Sequence, residues 1–492
     1  MIDAALETQI RAHFQRFTAF HAAQKTSEAI AELQAVFRIA PDLPEAHFNM
    51  GNVLRDSGNL DLSVEAYISA IRAAEARGHR YADALINLGD VFLRLKRIDH
   101  ALQAFQEATE AAPRMAEAWM GLGLARYDAN DLEGAIEAYS TAYQFAPSHQ
   151  GLVNNLALTN FRIGQYERSL QFYDRLVALA PDKPEAITDR SLILLHFGRF
   201  AEGLKGYESR WGMAKLQGTR HRTGAPDWQG EPLKGKVIVA YGEQGYGDAF
   251  QFARYLPLLT AKGAYVIVLA EKPIVSLMQS VPGVAEAFPT GAIAALPRHD
   301  YSVAMMSLPY HFGTTPETIP AKVPYIYADE TLSAGWKEKL AGLAGLKVGL
   351  VWAGRPEHPF DKERSMPLSV LAPLGDLPDV SYVALQQGPA LAETGLEMFR
   401  PGGLADFSET AAIIDNLDLV IAVDTSVAHL VGAMGKPVWL MLPLVAEWRW
   451  SLGRDTSPWY PTMRIFRQII RDDWTGPVQQ VAAAIGEMAL KP

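Results

Sequence analysis

Residues Leu417–Pro437 read L-D-L-V-I-A-V-D-T-S-V-A-H-L-V-G-A-M-G-K-P. An apolar, β-branched run that stops at Asp-Thr-Ser and continues as an apolar helical stretch is a strand-to-helix turn of a parallel α/β sheet. At such a turn the free N–H groups of the first helical residues and the positive end of the helix dipole face outward. Hydroxyls at Thr425 and Ser426 and an imidazole at His429 stand within a turn of it, after the carboxylate of Asp424. The arrangement suits the diphosphate of a nucleotide. The same Asp-Thr-Ser, taken alone, also serves to cap a helix.

Working outward, short β-branched runs alternate with helical stretches from Lys236 onward. Strands are expected at Val237–Tyr241, Tyr265–Leu269 and Tyr301–Met305, then at Val348–Trp352, Tyr382–Leu385, Leu419–Val423 and Val438–Leu442. Continuous apolar strands separated by helices indicate parallel sheets covered on both faces. Two such sets in sequence predict two Rossmann-like lobes with ligands at the carboxyl ends of the strands. The glycine-rich turn Gly242-Glu-Gln-Gly-Tyr-Gly-Asp248 follows the first strand and precedes a helix expected over Ala249–Ala261. It lets backbone approach a substrate, but its spacing is not that of a dinucleotide fingerprint. Considered by itself, Asp248 reads as a helix cap.

The first two hundred residues are patterned differently. Pro113, Pro147 and Pro181 fall at a spacing of 34, and Pro41 precedes Pro113 by two such periods plus a four-residue insertion around Arg77–Tyr81. That is the tetratricopeptide period. Leu88, Gly89, Ala101, Phe105 and Ala108 recur as Leu122, Gly123, Ala135, Tyr139 and Ala142, small residues that let paired helices touch and an aromatic that fills the gap. Repeats are expected to start near residues 10, 44, 82, 116, 150 and 184. The sixth place of successive repeats from the second holds Asn49, Asn87, Gly121, Asn155 and Asp189. A row of carboxamides in the concave groove can grip the backbone of an extended peptide. Polar residues on a solvated helix face would look the same. Leu216–Gly235 abandons helical periodicity and reads as a linker.

A net charge of −10 and a pI near 5.7 argue against a nucleic-acid binder. The absence of cysteine excludes disulfides, thiolate catalysis and cysteine-ligated zinc. Neither a basic leader nor an apolar run of the ~20 residues a membrane helix needs is visible, so no membrane span and a cytoplasmic location are expected.

Gly245-Tyr-Gly-Asp248 and Asp424–Pro437 together resemble the G-x-G-D turn and the D-T-G-x-x-H-L-A-A-A-L-G-x-P stretch of heptosyltransferases, inverting enzymes of the two-lobed GT-B fold. The chain as a whole looks closest to bacterial proteins that join tetratricopeptide repeats to such a domain, over about residues 10–475. Its asparagine row resembles the ladder of the O-linked N-acetylglucosamine transferases. Ser426 stands where heptosyltransferases carry glycine, which narrows the space beside the diphosphate.

The resemblance implies an α-solenoid over 1–213, a linker over 214–235, an acceptor lobe over 236–330 and a nucleotide-sugar donor lobe over 331–492. It implies Asp248 as the general base and Thr425, Ser426 and His429 as holders of the donor diphosphate. With no Asp-x-Asp suited to a metal, neither metal nor cofactor is expected. Cations for the leaving group are sought in Arg355, Lys362 and Arg364, while Gln386 is placed to contact a nucleoside. The aromatic cluster Trp448–Pro461 is either core or a sugar platform to which Arg449 contributes. Asn49, Asn87 and Asn155 would hold a protein acceptor such as flagellin or another surface protein. A saccharide or lipid-linked acceptor, and a non-catalytic repeat scaffold carrying a relic transferase domain, are the competing expectations.

Overall fold

The computed structural model describes residues 4–358 and 360–489, and the chain divides between Pro181 and Asp182 into two compact units. The first is a tetratricopeptide-repeat solenoid. Its helices run in pairs: Ala4–Ala22 with Thr26–Ile39, Pro44–Asp56 with Leu60–Glu75, Ala82–Arg94 with Ile98–Ala111, Ala116–Asp128 with Leu132–Phe145, and Gln150–Arg162 with Tyr166–Leu179. The turn inside each pair carries a left-handed residue at one repeat position, namely Gln24, Gly58, Lys96, Asn130 and Gly164. Three of these five are not glycine, so helix packing on either side holds each turn in a conformation that costs L-residues energy. The contact between paired helices depends on missing side chains. A Cβ on Gly51 would lie 2.5 Å from the Tyr67 ring, on Gly89 2.7 Å from Phe105, and on Gly123 2.5 Å from Tyr139.

The second unit opens with a sixth helix pair, Pro184–His196 and Phe200–Tyr207. The sequence reading carries the solenoid on to residue 213, yet these helices pack into the α/β core: Leu195, Phe200 and Leu204 join it, and the His196 ring bonds the carbonyl of Ala446. The segment read as a linker is likewise packed. Trp228 is fully buried, its backbone N–H donates to Ser302 O at 2.8 Å and its indole N–H to Glu231 O at 2.8 Å.

Two parallel sheets follow. The first orders β3-β2-β1-β4, with β1 Val237–Tyr241, β2 Tyr265–Ala270, β3 Val284–Pro289 and β4 Tyr301–Ala304. The second orders β6-β5-β7-β8-β9, with β5 Leu346–Val351, β6 Val380–Ala384, β7 Leu419–Val423, β8 Val438–Leu442 and β9 Met463–Arg467. Helices cover the sheets, making this an α/β unit whose strands β7 and β8 are buried throughout. The edge strands β3 and β9 were not anticipated, because V-A-E-A-F-P and M-R-I-F-R lack the continuous apolar run that marks a central parallel strand. The helix expected at Ala249 begins at Tyr246, breaks into a 3₁₀ turn at Ala253–Tyr255, and restarts at Leu256. Pro257 sits in the first turn of that restart, where a missing N–H is harmless. The closing helix is Thr475–Ala489.

Candidate functional site

The two motifs picked out in the sequence touch. The Tyr246–Phe252 helix of the first lobe packs against the Ser426–Ala433 helix of the second. The approach is close enough that a Cβ on Gly247 would fall 2.8 Å from His429 Cδ2 and 3.4 Å from Ser426 Cα. Glycine at 247 is therefore required by contact between the lobes.

Asp248 lies in the first turn of its helix. One carboxylate oxygen accepts from the N–H of Gly245 at 3.1 Å, so the cap role read from sequence is present. The other oxygen accepts from the Arg449 guanidinium, which also pairs with Glu447. Burial pushes the Asp248 carboxyl above its usual range, while Arg449 pulls it back and Glu447 adds to the rise. Arg449 thus covers the carboxylate oxygen that does not cap the helix.

On the second lobe Asp424 directly follows β7. Its carboxylate accepts from the Trp450 indole N–H at 2.8 Å, and its carbonyl accepts from Arg364 Nη1 at 2.8 Å. Burial, reinforced by Glu447 and opposed by the Trp450 bond, raises this carboxyl to about 6. Thr425 is the N-cap of the following helix with extended backbone, yet its hydroxyl makes no capping bond and is buried without a partner. A buried hydroxyl left unpaired costs free energy, so it is a natural contact for an incoming acceptor. Ser426 opens the helix, half-buried. His429 is buried, its Nδ1 2.9 Å from the Tyr460 hydroxyl and its ring 5.0 Å from that of Trp450. Burial, then Arg449 and Arg254, hold its pKa well below the ordinary histidine value. The imidazole is therefore neutral near pH 7 and offers a hydrogen bond rather than a charge.

The remaining expected donor residues separate. Arg364 joins the cluster, bonded also to Asp361 at 3.2 Å. Arg355 and Lys362 are exposed on the neighbouring segment. Gln386 is buried with its amide fully engaged: Oε1 accepts from the N–H groups of Trp352 and Ala353, both at 3.0 Å, and Nε2 donates to Ala353 O and Gln387 O. It pins the turn after β5 and presents no free group to a nucleoside. In the aromatic cluster Trp448, Trp450, Trp459 and Tyr460 are buried core, and Arg449 is the member that reaches the site. Two residues, Glu447 and Arg254, escape the sequence reading, and Tyr460 enters it only as part of the aromatic cluster. Glu447 completes the arginine cage, Tyr460 orients His429, and Arg254 clamps the lobes by donating to Trp459 O at 2.6 Å and to the Tyr325 hydroxyl at 2.9 Å. Glu447 adjoins the Trp448–Pro461 cluster and Tyr460 lies within it, whereas an arginine inside an amphipathic helix gives no signal.

In the solenoid, Asn49, Asn87 and Asn155 are half-buried. The Asn87 amide donates to Asn52 Oδ1 at 2.8 Å, which the Tyr67 hydroxyl also meets at 2.7 Å, and Asn155 bonds the Tyr139 hydroxyl. At the equivalent place after Phe105, which has no hydroxyl, stands Gly121, where any Cβ would lie 2.0 Å from the Phe105 ring. At Asn87, Gly121 and Asn155 the residue thus matches the aromatic of the preceding repeat, whereas Asn49 follows Leu33 and Asp189 follows Tyr173.

Comparison with known proteins agrees with the repeats. Family models described as tetratricopeptide repeat match residues 42–114 and 86–150. Protein FlbA of Caulobacter vibrioides is similar at 29% identity over 58% of this chain, and the match spans 52% of that relative's length. Among solved structures, PilF of Pseudomonas aeruginosa is similar with a TM-score of 0.39 and 17% identity, over 43% of this chain and 94% of its own. MamA of Desulfovibrio magneticus RS-1 is similar with a TM-score of 0.33 and 21% identity, over 37% and 99%. Among the described residues no helix is long and apolar enough to cross a membrane.

Proposed function

We propose that the α/β unit is a GT-B glycosyltransferase that works with inversion and without a metal, and that the repeats recruit its acceptor, a protein such as flagellin or another surface protein. Solenoids of this kind offer extended surfaces to partners. The observation that carries the reading is the meeting of Asp248 with Arg449 and of Gly247 with His429, which brings the carboxylate of one lobe beside the strand-to-helix turn of the other. In this reaction the acceptor hydroxyl oxygen bonds the anomeric carbon, the bond from that carbon to the diphosphate breaks, and Asp248 takes the hydroxyl proton. The Thr425 hydroxyl, the N–H groups of Ser426 and Val427, neutral His429 and the cations Arg449 and Arg364 stabilise the leaving diphosphate.

The charge balance sets a condition on this mechanism. Asp248, Glu447 and Asp424 surround Arg449 and Arg364, so Arg449 must leave its carboxylates to meet a phosphate. Arg355 and Lys362, exposed beside the cluster, are free to add charge. The same saturation of Arg449 favours a second reading, in which the α/β unit is inert and the protein acts as a repeat scaffold. Titrating UDP, ADP, GDP and CMP against the full chain separates the two. Micromolar binding of one nucleotide supports the transferase and selects its donor class, and silence across the panel favours the scaffold.

A further inference from the structure

The imidazole of His429 is gripped at one ring nitrogen. Tyr460 lies across the Ser426–Ala433 helix at Gly432, where a Cβ would fall 2.5 Å from its ring, and its hydroxyl reaches His429 Nδ1 at 2.9 Å. The indole of Trp450 covers the imidazole at 5.0 Å between ring centres. The other nitrogen, Nε2, faces the strand-to-helix turn, 4.0 Å from Asp424 Oδ1. We propose that Tyr460 is a positioning residue that fixes His429 as the Nε2–H tautomer, so that the imidazole presents a hydrogen-bond donor to an anion at this turn. The anion rests on the diphosphate reading given above; the tautomer does not.

Counting protons gives the direction of the bond. Burial, then Arg449 and Arg254, keep the imidazole neutral near pH 7, so the ring carries one proton and one lone pair. Burial, reinforced by Tyr325 and opposed by Arg254, raises the Tyr460 phenol well above its ordinary value, and its hydroxyl keeps its single proton. That proton has two acceptors within reach, His429 Nδ1 and the Tyr325 oxygen. Arg254 offers none, because a guanidinium only donates. Tyr325 spends its own proton on Phe250 O at 3.0 Å and already accepts from Arg254 Nη2 at 2.9 Å. A neutral imidazole nitrogen is a far stronger base than a phenol oxygen, so the Tyr460 proton goes to Nδ1. The opposite arrangement would place the His429 proton on Nδ1 and aim the Nε2 lone pair at the Asp424 carboxylate. An ionised phosphate oxygen only accepts, so the Nε2–H form is the one that can hold it. Arg254 comes from the first lobe and Tyr460 from the second, so the docking of the lobes keeps this relay assembled.

Proton–nitrogen correlation NMR on the full chain, labelled with nitrogen-15 histidine, reads the tautomer of each ring, and the His429 resonances are those lost in His429→Gln. At about pH 7.5 the parent should show a protonated Nε2 and an unprotonated, hydrogen-bonded Nδ1. In Tyr460→Phe the Nδ1 resonance should move to the position of an unbonded nitrogen, a change that a role in packing alone would not produce. Inorganic pyrophosphate and UDP should shift Nε2 and leave Nδ1 in place, and should bind Tyr460→Phe about tenfold more weakly. In a His429→Gln background the same Tyr460→Phe change should leave their affinity as it was, because Tyr460 acts through the imidazole. A protonated Nδ1 in the parent, or an Nδ1 resonance unmoved in Tyr460→Phe, overturns the proposal. The first of these needs no variant, so the test survives if Tyr460→Phe does not fold, which circular dichroism checks. The expected tautomer with no binding of pyrophosphate or UDP overturns the phosphate reading instead, and with it the anion as the partner of Nε2–H.

Discussion

The solenoid and the α/β unit place polar side chains by different rules. At three places in the solenoid the groove residue matches an aromatic one repeat earlier: asparagine after Tyr67 and Tyr139, glycine after Phe105. In the α/β unit, Asp248 is answered by Arg449 from the other lobe and Gly247 by His429, partners with no regular spacing. Local repetition explains one region and tertiary approach the other. A groove built on internal bonds also has fewer free amides to offer a peptide than a ladder of exposed asparagines would.

The sharpest way to test the α/β side is Asp248→Asn. It keeps the bond from Gly245 but cannot take a proton, so transfer should fall by about two to four orders of magnitude while nucleotide affinity holds. Near-normal turnover in a folded variant would leave Asp248 as a cap alone. Thr425→Ala removes the unpartnered hydroxyl with little effect on packing. Nucleotide affinity, read by calorimetry, should drop about tenfold or somewhat more, and an unchanged affinity would put the phosphate elsewhere.

The solenoid side breaks at Gly121. Gly121→Asn drives a side chain into the Phe105 ring and should cost about 1–3 kcal/mol in denaturant unfolding. Pairing it with Phe105→Tyr supplies a hydroxyl but no space, so partial recovery in a double-mutant cycle would show that the hydroxyl matters beyond volume.

A pH experiment returns to the α/β unit. The Asp424 carboxyl is raised from 3.8 to about 6, so the folded state holds its proton more tightly than the unfolded one. Its ionisation therefore costs nothing below about pH 4, costs more as pH rises to about 6, and costs the full amount above that. Asp424→Asn escapes this cost, about 3 kcal/mol for a rise of that size, and should melt above the parent at pH 7.5 and converge with it near pH 4. A constant offset across that range would contradict the shift.

The smallest effect belongs to the groove amides. From the sequence, Asn49, Asn87 and Asn155 are expected to be replaceable with little change in stability. Because Asn87 and Asn155 are bonded within the solenoid, Asn87→Ala and Asn155→Ala should each cost about 0.5–1.5 kcal/mol, whereas Asn49→Ala, one repeat after Leu33, should cost less. Equal costs at all three would dissolve the pairing rule. A raised KM for a protein acceptor in Asn49→Ala alone would locate the peptide contact at that end of the groove.

The sequence by itself determined the repeat period, the strands β1, β2, β4, β5, β6, β7 and β8 to within a few residues, and the two turns at Gly242 and Asp424. These are encoded in short-range patterns, the recurrence of small and aromatic residues every 34 positions and apolar runs that stop at turn residues. Only tertiary structure decided that the sixth helix pair and Trp228 belong to the α/β core, that Gln386 pins a turn, and that Arg449 bridges Asp248 and Glu447. An amide or guanidinium side chain can satisfy any of several partners, and which one it meets depends on helices far apart in the chain being pressed together by burial of the apolar core.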